Sequence, residues 1–266
     1  MTLTPLYVSH GSPLTVAEPG RARDFLASLG GLAPAPRAIL VASAHWLTPA
    51  PMLGGASRPR TIHDFHGFPR ALYALAYPAA GAPWLAERAR DLLVRAGFAA
   101  GIDPDRGLDH GAWTPLMLGW PKADVPVAPL SIQPEQPPAH HFAVGRALRP
   151  LVEEGVLVLA SGSATHNLGE FRGQAAATPT LPYAQAFDDW LAETVSAGDE
   201  AALLDYRRQA PFAQRAHPTD EHLLPLFVAA GAGGLPGRAL HRSFAYGMIS
   251  MAAYGFGSVN SATTGA

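Results

Sequence analysis

Three short apolar runs along this chain each give way to small residues and then to one histidine. They are LYVSHGSP at 6–13, RAILVASAHW at 37–46 and VLVLASGSATHN at 156–167. An unbroken apolar, β-branched run of this length suits a strand buried on both faces. In open α/β sheets, ligands collect where strands stop and loops begin. The three runs therefore predict three strands that carry His10, His45 and His166 to one shared site.

Elsewhere the apolar spacing is helical or broken. Residues 20–29 predict a helix, ended by Gly30, Gly31 and the prolines at 34 and 36. Residues 48–69 are polar, proline-rich and irregular, and they include IHDFHGFP, with His63 and His66 beside Phe65 and Phe68. Such a loop lines a pocket or folds over a sheet edge. Residues 71–77 predict a strand. Residues 83–96 predict a helix, with Leu85, Ala89, Leu92, Leu93 and Ala96 at helical spacing. A strand follows at 97–102. LDHGAW then puts His110 in a glycine-containing turn ahead of a helix at 114–119.

Residues 125–133 predict a strand and 139–153 an amphipathic helix leading into the His166 strand. Residues 182–196 and 200–208 predict outer helices. In HPTDEHLLPLF, Pro218 suits the first position of a helix, and Asp220 and Glu221 suit its positive end. Leu223, Leu224, Leu226, Phe227 and Ala230 then make that helix apolar almost all round, hence buried. Residues 242–256 close the chain as an apolar segment, and 258–266 are small and polar, which predicts a flexible tail. No internal repeat is present. Alternating strands and helices predict the α/β class: a single three-layer α/β/α domain over 1–257 with a mostly parallel or mixed sheet, strand order open.

Composition narrows the chemistry. At 266 residues, 48% hydrophobic and 15% charged, the chain can bury one large core. A formal charge of −2 gives no electrostatic reason to expect nucleic acid or an anionic membrane as partner. No secretory pattern opens the chain and no apolar run is long enough to span a bilayer, so a soluble, cytoplasmic protein is expected. The absence of cysteine excludes disulfides, a cysteine nucleophile and thiolate metal sites. A metal here must be held by nitrogen and oxygen.

The chain has 11 histidines. A lone histidine is usually a surface group or a hydrogen-bonded core group, and His140, His141 and His241 take that reading. His10, His45, His166 and His222 stand apart, because each sits at an element boundary among small residues that leave room for an ion. Ligands drawn from separate strand ends and a helix start suit a catalytic metal pocket better than a structural zinc site. HExxH, HxxEH, GxSxG and GxGxxG are all absent. On spacing alone the expectation is a mononuclear metal site whose chemistry stays open.

Taken together, YVSHGSP, LVASAHW, HDFHGFP, LDHGAWTPL, SGSATHNL and HPTDEHLLPL resemble the class III, LigB-like extradiol ring-cleavage dioxygenases, and within them the 4,5-DOPA dioxygenase branch. The resemblance runs from about Tyr7 to Phe256. It implies a metal cleft at the strand ends, with His10, His45 and His222 as ligands. His166 matches the acid–base histidine, which in some zinc-bound members also reaches the metal. His110 matches a histidine that contacts substrate or oxygen.

Relatives that cleave protocatechuate use two histidines and a glutamate, so Glu221 is the alternative third ligand beside His222. His66 stands where tyrosine is more usual, which bears on substrate choice. The resemblance further implies one divalent metal per chain, Fe(II) for activity, with Zn(II) an ion the isolated protein could carry. The partners would be a catechol-type, DOPA-like substrate and O2. His166 would take a hydroxyl proton, and the ring would open beside the diol to give a semialdehyde. Two rivals remain: a zinc-dependent hydrolase using the same histidine cluster, and a binder without turnover.

Overall fold

The computed structural model describes residues 3–32 and 34–257, so the predicted tail at 258–266 lies outside the described residues. The strands are β1 (Leu6–Ser9), β2 (Ala38–Leu47), β3 (Met52–Gly54), β4 (Gly101–Asp103), β5 (Val127–Ile132), β6 (Val156–Gly162), β7 (Gly237–His241), β8 (Phe244–Ala245), β9 (Ile249–Ser250) and β10 (Ala253–Phe256). Eight of them form one sheet in the order β4-β3-β5-β2-β6-β1-β10-β7, and β8 pairs with β9 alone. The four central strands β5, β2, β6 and β1 are mutually parallel. Antiparallel pairs join β3 to β5 on one side and β10 to β1 and β7 on the other. This is an α/β fold around a mixed sheet.

Every residue of β2 from Ala38 to Ala44, and all of β5 and β6, is buried. Unbroken apolar runs are what a parallel sheet covered on both faces demands. The helices that matter for the site are α1 (Arg21–Ser28), α2 (Pro83–Arg95), α3 (His110–Gly119) and α4 (Pro138–Leu148), followed by the short α5 (Pro150–Glu153). Then come α6 (Pro182–Ala197), the short α7 (Glu200–Leu204), α8 (Tyr206–Gln209) and α9 (Ala213–Ala216), and α10 (Leu224–Gly233). Helix α10 packs on α4 and on β6, β1, β2 and β10; α3 packs on α1, β2 and β6.

Several expectations need correction. Residues 70–74 form a 3-10 helix rather than the strand expected at 71–77. Leu72 N–H bonds Pro69 O and Leu75 N–H bonds Leu72 O, so the amides turn back on the chain instead of meeting a neighbouring strand. The helix expected at 139–153 is two pieces, because Pro150 has no N–H to continue the first. That expected at 200–208 is likewise split into α7 and α8.

His110 lies in α3 as its first residue, not in a turn before it. The Asp109 carboxylate caps the helix by accepting Ala112 N–H at 3.1 Å, which starts it four residues early. The last helix begins at Leu224, not at Pro218. The carbonyl of His222 turns toward the sheet, accepting Ser163 N–H at 2.9 Å and the Tyr7 hydroxyl at 3.1 Å, so the helix cannot form until that bond is left behind. The short strand β3 and the edge strand β7 carry no apolar run long enough to announce them.

Candidate metal centre

Parallel pairing of β1 and β2 to the two sides of β6 puts all three carboxyl ends on one edge of the sheet, with Ser9 opposite Gly162 and Ser43 opposite Ser161. His10 follows β1, His45 lies near the carboxyl end of β2 and His166 follows β6. His222 arrives from the loop before α10. Its carbonyl crosses the end of β6 so closely that a Cβ on Gly162 would stand 2.0 Å from it, so only glycine fits there.

Nε2 of His45 lies 3.1 Å from Nε2 of His10 and 3.3 Å from Nε2 of His222. Ligand nitrogens about 2.1 Å from one ion would be separated by about 3.0 Å at right angles and about 3.4 Å in a tetrahedron. The observed spacings fall between these. Three sets of side chains here have ligand atoms that all lie within 4.8 Å of one another: His10, His45 and His222; His45, Asp64 and His110; and His166, Glu221 and His222. The first is the one made of imidazoles alone.

The other ring nitrogens are held by partners that decide where the lone pairs go. Pro115, inside α3, has no N–H to offer the carbonyl of Gly111 four residues back. Ser161 donates its hydroxyl to that carbonyl at 2.5 Å. With its proton committed, Ser161 Oγ accepts from Nδ1–H of His10 at 3.0 Å. Nδ1–H of His222 donates to Glu221 Oε1 at 2.9 Å, and Nδ1 of His45 lies 3.3 Å from Asp64 Oδ2. Each ring is thereby turned so that Nε2 presents its lone pair to the same point, which is the arrangement metal ligation requires.

Burial, reinforced by neighbouring imidazoles, holds His10 and His222 well below the usual histidine pKa. Burial and His110 push His45 down to about 3, against the opposing pull of Asp64. All three therefore stay neutral at physiological pH, and neutral imidazole is the ligating form. A nitrogen set of this kind fits zinc or ferrous iron.

His166 borders the set. Its ring stacks on that of His222, its nitrogen groups with Glu221 and His222, and its backbone N–H donates to Ala216 O at 2.8 Å. Burial, partly offset by Glu221, lowers it to about 4. His110 stands on the other flank, its ring centroid 4.0 Å from that of His45. Phe65 sits edge-on to His110 at 5.8 Å, and with Trp113 and Tyr73 it forms an aromatic wall on that side.

His63 donates Nε2–H to the carbonyl of Leu75, 3.0 Å away, and His66 is exposed. Neither joins the centre. Asp64, between them in the chain, does, and nothing in the spacing of IHDFHGFP distinguishes it. His140 and His141 bond Gln133, and His241 bonds Ser243, all away from the centre.

Three neutral imidazoles converging at the strand ends of an α/β sheet define a class of site, a nitrogen donor set of the kind that can hold a metal ion. The chain belongs to the family described as the catalytic LigB subunit of aromatic ring-opening dioxygenase, whose model matches residues 6–257. It is accordingly an extradiol aromatic ring-opening dioxygenase. It is 42% identical over 261 residues to the 4,5-DOPA dioxygenase extradiol of Beta vulgaris, covering 94% of this chain and 95% of that one. The 4,5-DOPA dioxygenase extradiol of Escherichia coli K12 is 38% identical over 231 residues, covering 85% of this chain and 84% of that one. A crystal structure of an uncharacterized protein from Escherichia coli K12 superposes with a TM-score of 0.79 at 31% identity, covering 96% of this chain and 100% of that one. No helix among the described residues is long and apolar enough to cross a membrane.

Proposed function

We propose that this protein opens the ring of a catechol-type, DOPA-like substrate with O2 at a single Fe(II) held by His10, His45 and His222, residues 1–257 acting as one catalytic domain. The observation that carries this reading is the convergence of three neutral Nε2 atoms at 3.1 and 3.3 Å, with two further imidazoles beside them. Fe(II), when bound, would bring catechol oxygens and O2 to one centre and carry the electron transfer between them.

The chain's own part is geometry and proton handling. His166 accepts a hydroxyl proton from the incoming diol and returns it as the ring opens, which an imidazole held neutral is suited to do. His110 faces the substrate from the opposite flank. Phe65 and Tyr73, with Phe65 packed against the buried Trp113, give an aromatic ring an apolar surface and keep bulk water off that side. Zinc would fill the same three ligands without supporting this redox step.

The test is anaerobic loading with Fe(II), then admission of air with DOPA or a simpler catechol. A yellow ring-opened product that requires both iron and O2 is expected. Turnover without O2 in the zinc form would favour the hydrolase instead. His45→Ala should lose the metal; full metal content in that variant would sink the site.

A further inference from the structure

The loop between β3 and α2 brings one carboxylate to the centre, and two imidazoles share it. Asp64 Oδ2 lies 3.0 Å from Nδ1 of His110 and 3.3 Å from Nδ1 of His45. Oδ1 accepts the backbone N–H of His110 at 2.8 Å, which fixes the carboxylate's orientation. An ionised carboxylate only accepts, so the ring nitrogens facing it carry hydrogen. Two neutral rings hung by Nδ1 from one oxygen both keep their lone pair on Nε2, on the far side from Asp64. For His45 that side holds His10 and His222. The His110 ring itself stands 5.3 Å from that of His10 and 4.0 Å from that of His45, centroid to centroid.

We propose that Asp64 is a positioning residue for ring opening: it locks His45 and His110 into the same tautomer and ties a metal ligand's orientation to that of the histidine facing substrate. This rests on His10, His45 and His222 being the ligands. Asp64 is not needed merely to pin its loop. Ile62 N–H bonds Leu108 O, Trp113 Nε1–H bonds Ile62 O, and Thr61 Oγ1 accepts Tyr77 N–H, all without it.

Asp64→Asn is nearly isosteric and tests donors against acceptors. Whichever way the amide turns, its NH2 meets either the backbone N–H of His110 or the two ring Nδ1 positions. The readouts are the tautomer of His110, from long-range ¹⁵N–¹H correlation spectra of the zinc-loaded, diamagnetic protein, and zinc affinity by chelator competition. Wild type should show Nδ1–H at His110. The Asn variant should shift toward Nε2–H and bind zinc roughly 10–100-fold more weakly. Asp64→Glu, which restores both acceptors on a longer stem, should recover part of that affinity.

An unchanged tautomer and affinity in Asp64→Asn would overturn the assignment. So would Nε2–H at His110 in the wild type, which decides the matter even if the variants do not fold. Wild-type protein that binds no metal at all would instead bring down the ligand reading, and this proposal with it.

Discussion

The ring of His166 lies face to face with that of His222, centroids 3.5 Å apart and planes 10° from parallel. The stack sets the face of the His166 ring against His222, with a ring nitrogen near Glu221. The proposed acid–base role gives this ring the task of meeting substrate and leaves the ion to His10, His45 and His222. His166→Gln should therefore retain Fe(II) and lose turnover by roughly 10²–10⁴-fold. Metal analysis and steady-state ring opening check both halves. Loss of iron, or a wild-type rate, would contradict the acid–base role.

Ser161 controls His10 at one remove. Its hydroxyl proton goes to the Gly111 carbonyl that Pro115 leaves free, so its oxygen can only accept from His10. In Ser161→Ala the Nδ1–H of His10 loses its acceptor and the lone pair is no longer confined to Nε2. Metal affinity should fall by about 10–100-fold while the stoichiometry stays at one. Chelator competition measures it, and an undiminished affinity would show that the ring is fixed by packing alone.

Glu221 holds Nδ1 of His222 and faces His166 as well. Because α10 starts at Leu224, its carboxylate does not serve that helix's first turn, and its effect must run through the two imidazoles. Glu221→Gln should keep metal stoichiometry and lower affinity or rate by roughly 10–100-fold. Complete loss of metal in that variant would make Glu221 a ligand in its own right.

Away from the centre, His141 offers a pH probe. Burial, then repulsion from His140, lowers it from 6.5 to about 3, and its Nε2 accepts Gln133 N–H at 3.2 Å. Below pH 6.5 the unfolded chain takes up a proton that the folded chain refuses until about 3. Its contribution to stability is thus complete above about 6.5 and is lost as the pH falls through that window. By pH 5 the loss is on the order of 2 kcal/mol. In metal-free protein, urea midpoints at pH 7 and pH 5 should differ less for His141→Gln than for wild type. Equal differences would show that His141 is protonated alike in both states.

The local pattern of this chain determines where strands end and which residues stand there. His10, His45 and His166 are legible because a doubly covered strand must be apolar throughout, so the first imidazole past the run marks its carboxyl end. His222 is legible as a boundary residue, and its buried helix follows from five apolar side chains in a row of turns. By contrast, 71–77 reads ALYALAY, apolar enough for a strand, yet no ladder partner reaches it and residues 70–74 close a 3-10 helix instead. Pro218 has the chemistry of a helix start, but the His222 carbonyl is claimed by Ser163 N–H, just past β6, and by the Tyr7 hydroxyl, and the helix waits until Leu224.

The division of labour among the histidines is decided only in three dimensions. His10, His45, His166 and His222 look alike in the sequence, each at the boundary of an element. Which three converge depends on β6 being inserted between β1 and β2 and on a loop crossing over Gly162. Asp64 belongs to His45, 19 positions earlier, and to His110, 46 positions later, as read from their numbers. Ser161 reaches His10 across 151 positions. Burial and periodicity act through neighbours a few residues apart, whereas a hydrogen bond that sets a tautomer depends on angles and distances that only the packed sheet fixes.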